Sequence, residues 1–362
     1  MIELGEDKIE PLVLGATILG TGGGGSPDEG LKMLSDALRK GRKIRLIDVE
    51  EIPRDGFTVV PYNVGSIAPS TGVKKPVKIK DPIKRAFEEM ERLIGGSIVA
   101  VVATEIGGGN TPVALSIAAE LDIPAIDGDL VGRAAPELHQ STVNVLGIPM
   151  YPSVIVGETG NVIIVSECSD IDDYEAIARY LSVLSGKYVS VVDTPMRYDD
   201  ARRAVIRKTI SKSIELGEEV IKARREGRDP IDAVVTAIEG WRVFEGIVDR
   251  YVWKDEGGFL RGEVLIKGSG DFSGSTLRSW IKNEHIMVWI NEKPAVMPPD
   301  IFSLLREDGE PVTNTELREG EKVYGIAAKA PEIWRTPEGL KYFGPRHFGF
   351  DYDYIPVEEL LR

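Results

Sequence analysis

The sequence predicts an α/β N-terminal domain with a mostly parallel sheet, followed by a β-rich C-terminal domain with helices. Three observations carry this reading. Strand-like and helix-like segments alternate through the first part of the chain. One strand-like run, SIVAVVAT at 97–104, is continuously apolar, as strands buried on both faces are. Beyond Trp241 the chain changes to short strand-like segments separated by turn signals. Its 362 residues suffice for about two domains, divided here as 1–165 and 166–362.

The elements follow in order. Ile9, Leu12, Val13, Ala16 and Leu19 recur at three- and four-residue spacing, which predicts a helix over 8–19. The glycine run GTGGGG comes next. Ser26 then suits an N-cap, Pro27 the first helical position and Glu29 a capping box, so a second helix starts directly after the glycines and ends at Gly41. Strands are expected at 43–49 and 57–65, and PIKRAFEEMERLI reads as a helix. The apolar run 97–104 leads into the loop EIGGGN and a helix with Pro112 near its start. A short strand IPAID follows, and Asp129 is expected to cap a helix over LVGRAAPELHQ. NVIIVSE reads as a strand, DDYEAIARYLSVLSG as a helix, and 201–226 as one long, solvated surface helix to which no chemistry is assigned.

The formal charge of −14 argues against nucleic acid and against anionic membrane surfaces, both of which select basic faces. No apolar run reaches the roughly 18 residues of a membrane span, and the acidic start MIELGEDKIE does not resemble a secretion signal. A single cysteine, Cys168, excludes an intrachain disulfide and suits a reducing cytoplasm. It is expected to be a small buried hydrophobe rather than a nucleophile. The three histidines, His139, His285 and His347, lack ordinary zinc spacing.

Two glycine loops can carry chemistry. Thr21, Gly22, Gly23, Gly24 and Gly25 precede a helix N-terminus, where bare N–H groups favour a phosphate or carboxylate. A tight helix–helix crossing is the competing explanation. The loop does not fit the P-loop or the dinucleotide fingerprint, because it follows a helix and no lysine comes after it. The second loop, TEIGGGNTP, lies at the C-terminal end of a predicted parallel strand, the edge at which open α/β sheets bind ligands. It supplies Glu105, Gly108, Gly109 and Asn110. The next strand end supplies Asp127 and Asp129, and Arg133 and Glu137 would share one face of the helix that follows. Such carboxylates suit general acid–base work. They could equally hold a divalent cation such as Mg²⁺ through Glu105, Asp127 and Asp129, or, in part, simply cap helices. In the second domain, KNEH places Asn283 and Glu284 within a strand, where they are candidates to face the first domain, and Asp300 is expected to cap a short helix.

Six stretches, GATILGTGGGGSP, EIGGGNTPVAL, PAIDGDLVGRAAPE, KNEHIMVW, MPPDIFSLL and GPRHFGFDYDYIPVE, together resemble the S-methyl-thiohydantoin desulfurase family, some members of which are joined to hydantoinase-type enzymes. The resemblance spans residues 9–358. It implies hydrolysis of a small five-membered cyclic imide or thio-analogue, with water adding at the ring carbon and methanethiol leaving. It assigns no residue roles. Chemistry and position nominate Glu105 or Asp127 as base, with Asp129 and Arg133 beside them as catalytic candidates. Thr21, the glycines, Asn110, Glu137, Asn283 and Glu284 are the substrate-binding candidates. Expected partners are a small-molecule substrate, a second copy in a homo-oligomer and a hydantoinase-like protein. The alternative function is a non-catalytic small-ligand module or a partner subunit of such an enzyme.

Overall fold

The computed structural model describes residues 1–65, 76–186 and 188–362. In chain order the first part contains β1 (Ile2–Leu4), α1 (Ile9–Leu19), α2 (Pro27–Arg39), β2 (Ile44–Ile47), β3 (Phe57–Gly65), α3 (Pro82–Ile94), β4 (Ile98–Ala103), α4 (Asn110–Glu120) and β5 (Ala125–Asp129). It continues with α5 (Thr142–Leu146), β6 (Ser153–Val156), β7 (Val162–Val165), α6 (Ile171–Ser185), β8 (Tyr188–Met196), α7 (Tyr198–Ala204), β9 (Ile206–Arg207), α8 (Thr209–Glu226) and α9 (Pro230–Ala237). These strands form one sheet in the order β1-β2-β5-β4-β3-β8-β6-β7, with β9 paired to β5. The central strands β2-β5-β4-β3 are parallel, as the apolar run at β4 predicts, and antiparallel strands extend the sheet at both edges.

Helices cover both faces. Leu12 and Ala16 of α1, Leu34 of α2, Met90 of α3 and Ala118 of α4 pack on one side. Tyr174 and Ala178 of α6 and Ala201 of α7 pack on the other. Each fully buried Leu or Met in these layers contributes about 1.5–3 kcal/mol.

The second sheet is antiparallel throughout. It contains β10 (Trp241–Glu256), β11 (Phe259–Gly268), β12 (Thr276–Lys282), β13 (Glu284–Ile290), β14 (Lys293–Val296), β15 (Ile301–Leu305) and β16 (Lys322–Ala328), ordered β14-β13-β12-β11-β10-β16-β15. Then α10 (Pro337–Phe343) and α11 (Val357–Leu360) close the chain. Leu14 and Ile18 of α1 join Leu305 and Ile326 of this sheet in one apolar cluster, which fixes the two sheets against each other.

Three local expectations are corrected. The helix over 201–226 is broken into α7 and α8, because Val205 is extended, residues 206–207 pair with β5, and Lys208 adopts φ +67°. Nor is α8 simply a solvated helix: it buries Ile210, Ile214, Leu216 and Val220 against α1 and the sheet. The helix expected over 130–140 does not form. Residues 130–140 run as turns, with Gly132 at φ +81° and the Val131 carbonyl held by Trp334 Nε1 at 2.7 Å. Arg133 and Glu137 therefore do not share a helix face. Finally, KNEH is a tight reversal between β12 and β13 rather than mid-strand, with Asn283 at φ +57°.

Candidate functional site

The parallel strands end at one edge, and a cleft of about 310 Å³ opens there, a size suited to a small ligand. Glu105 follows β4 and lines this cleft. Its Oε1 accepts from Asn110 Nδ2 at 2.7 Å and its Oε2 accepts from the Ala135 N–H at 2.8 Å. Burial raises the Glu105 carboxyl to about 7, against those two hydrogen bonds.

The opposite wall comes from the second sheet. Glu284, the first residue of β13, is 3% exposed. Its Oε1 accepts from the Gly24 N–H at 3.3 Å, while Oε2 has no hydrogen-bond partner. Burial and then the neighbouring Glu105 charge push this carboxyl well above the usual range. Two carboxyl groups from two sheets thus face one space, and their mutual repulsion favours a single shared negative charge.

The glycine run makes this approach possible. A Cβ on Gly23 would sit 2.0 Å from Glu284 Oε1, and one on Gly24, at φ +76°, would sit 2.6 Å from Gly107 Cα. The two glycine loops are also stitched together, since Gly24 O accepts from the N–H groups of Gly109 and Asn110 at 2.9 and 3.0 Å. Those amides, expected to bind ligand, are occupied at the start of α4. Gly22, Gly23, Gly24 and Gly25 line the cleft, and Gly24 and Gly25 also pack closely on the Gly107–Gly109 loop.

The remaining predicted residues divide. Gly109, Asn110, Glu137 and Asn283 line the cleft. The Asn283 side chain is occupied in holding the reversal, with Oδ1 accepting from the Leu260 N–H at 2.9 Å. Gly108 is packed against Thr17 and Pro27 instead. Thr21 is fully buried; its Oγ1 accepts from Arg133 and its carbonyl from the His285 N–H. Arg133 is buried too. Nε donates to Ala134 O, Nη1 to the carbonyls of Pro299 and Asp300, and Nη2 to Thr21 Oγ1 and His285 O. All five of its N–H donors are thereby taken, so it rivets the two domains and none is left for a ligand. Its charge still acts on Glu105 and Glu284, favouring their ionised forms.

Asp127 and Asp129 are not brought to the cleft. Asp127 accepts from the Ser211 N–H at 2.9 Å, Ser211 Oγ at 2.6 Å and Lys208 Nζ at 3.3 Å, which caps the start of α8. Asp129 accepts from the N–H groups of Val131 and Gly132, and burial pushes its carboxyl up to about 7. Glu105, Asp127 and Asp129 thus serve three separate places and do not gather as cation ligands.

Sequence reasoning missed Arg179 and Gln140, which also line the cleft. Arg179, on α6, holds the carbonyls of Gly65, Gly258 and Pro136, bringing distant segments to one wall. Neither residue carries a motif. Glu137 binds Lys282 Nζ and lies 2.6 Å from His347 Nε2. Burial alone would raise its carboxyl, but the His347 hydrogen bond and the Lys282 charge hold it well below the usual range. Burial pushes the Cys168 thiol up, away from reactive thiolate character. Asp300 caps no helix of its own, since β15 follows it directly; it accepts instead from the N–H groups of Ala330 and Val357 and from Tyr354 Oη.

No curated protein matches the chain. A crystal structure of a protein from Chromobacterium violaceum shares its fold, with a TM-score of 0.81 at 23% identity, over 99% of this chain and 100% of that one. No helix among the described residues is long and apolar enough to cross a membrane. Family models for the S-Me-THD-like N-terminal and C-terminal domains match residues 7–167 and 169–357. The chain belongs to the S-Me-THD-like family.

Proposed function

We propose that this protein hydrolyses a small five-membered cyclic imide or its thio-analogue, of the S-methyl-thiohydantoin type, in the cleft between its two sheets. The supporting observation is the pair Glu105 and Glu284, two buried carboxyl groups that face one space with an unpartnered oxygen on Glu284.

Ionised Glu105 takes a proton from water, and the resulting hydroxide oxygen bonds to the ring carbon carrying the thioether. The C=N electrons move to the ring nitrogen, which receives the proton of neutral Glu284. The tetrahedral adduct then collapses. Its hydroxyl proton returns to Glu284, the carbonyl forms, the C–S bond breaks, and the thiolate receives the proton held by Glu105. Both carboxyls end as they began, and the products are the hydantoin and a thiol. Asn110 and the Ala135 N–H orient Glu105 throughout.

The test is thiol release from S-methyl-thiohydantoins, followed with a chromogenic disulfide, in ¹⁸O-labelled water. Turnover should place the label in the ring carbonyl, and Glu105→Gln should lower kcat by about 10²–10⁴-fold. Tight binding of these rings with no turnover would overturn the proposal and favour a non-catalytic ligand module.

A further inference from the structure

A second group of potential ligands adjoins the cleft wall. Glu137, His139 and His347 each offer one ligand atom, and these atoms all lie within 4.8 Å of one another. Glu137 and His139 sit on the turns after β5, whereas His347 comes from the segment after α10, roughly two hundred residues later (|i−j| = 210 from Glu137). The fold therefore assembles what the sequence spacing conceals. The two imidazole rings stand 5.3 Å apart, centroid to centroid.

The hydrogen bonds indicate which atoms are available. His139 Nε2 lies 2.9 Å from Asp172 Oδ1. An ionised carboxylate only accepts, so Nε2 carries the proton and Nδ1 of the neutral ring carries the lone pair. That Nδ1 is buried with no hydrogen-bond partner, in a side chain belonging to a residue only 8% exposed. A histidine with one nitrogen fixed by a carboxylate and the other buried and bare matches the usual arrangement of a metal-bound imidazole. His347 Nε2 lies 2.6 Å from Glu137 Oε2 and 3.2 Å from Gln140 Nε2, contacts that a bound cation would replace. Lys282 and Gln140 hold Glu137 from outside.

We propose that Glu137, His139 and His347 form a binding site for a first-row transition-metal ion of the Zn²⁺ type, tethering the C-terminal segment to the cleft wall. Two imidazoles and one carboxylate suit Zn²⁺ and its neighbours, whereas Mg²⁺ and Ca²⁺ prefer all-oxygen sets.

The test is titration of metal-free protein with Zn²⁺ against a chromophoric chelator, together with visible absorption of the Co²⁺ form. One equivalent should bind, and the Co²⁺ form should show the intense bands of a low-symmetry, imidazole-ligated ion. His139→Asn and His347→Asn should each weaken Zn²⁺ binding by at least about 100-fold. Asp172→Asn should weaken it by about 10–100-fold, because it only orients His139. Cys168→Ser should leave binding unchanged. If a histidine variant fails to fold, the wild-type Co²⁺ spectrum still decides: weak, octahedral-type bands overturn the proposal. Zn²⁺ affinity unchanged in both histidine variants, or lost in Cys168→Ser, overturns it equally.

Discussion

Strands β4 and β5 lie side by side, and each ends in acidic residues, yet only one of them equips the cleft. Glu105, beyond β4, lines the cavity. Asp127 and Asp129, in β5, are enclosed by donors from Ser211, Lys208, Val131 and Gly132. A strand-end position therefore does not make a carboxylate available for chemistry. What decides is whether the folded chain turns it toward the cavity. Here the start of α8 holds Asp127, and the Val131 and Gly132 amides hold Asp129, away from the cleft, whereas Glu105, oriented by Asn110 and the Ala135 N–H, lines it.

Exchanging the two kinds of acid breaks or sharpens this contrast. The largest effect belongs to Glu105→Gln, a loss of about 10²–10⁴-fold in kcat. Asp127→Asn should leave kcat/KM for thiol release within about threefold, since Asp127 touches no cleft group. Gly23→Ala comes next. Its Cβ would fall 2.0 Å from Glu284 Oε1 and displace that carboxyl, costing about 100-fold in kcat/KM. Asp127→Ala should act on stability instead, lowering it by about 1–2 kcal/mol in denaturant melts through loss of the α8 cap.

The smallest effect tests Asp129. Its folded carboxyl titrates at about 7, above its unfolded value near 4. The unfolded chain thus releases this proton first, and the contribution of Asp129 to stability falls as pH rises from about 4 to about 7. Asp129→Asn removes that slope, so denaturation midpoints of the variant should gain on wild type between pH 5 and pH 8. A constant difference would mean that Asp129 is not buried as a neutral acid.

Much of this was legible in the sequence. The apolar run before Glu105 announced the parallel strand, and Ser26 and Pro27 announced α2, where Ser26 Oγ indeed accepts from the Glu29 N–H. Local rules failed where distant chain intervened. Gly132, together with Trp334 from two hundred residues on, holds 130–140 out of a helix. Arg133 reads as a catalytic candidate until the Pro299, Asp300 and His285 carbonyls arrive to consume its donors. Glu284 was visible as an odd polar residue in an apolar stretch, but its partnership with Glu105 depends on how two sheets pack, which no local pattern encodes.

The pH dependence of kcat/KM for thiol release, compared between wild type and Glu284→Gln, probes the carboxyl pair most directly. Wild type should give a bell with a rising limb near pH 7, where the pair releases its first proton, and a falling limb above it. Glu284→Gln should keep little activity, lose the falling limb and leave the rising limb near pH 7, because burial sets the Glu105 carboxyl and Glu284 is still neutral there. An unchanged bell in that variant would contradict a proton shared between Glu105 and Glu284.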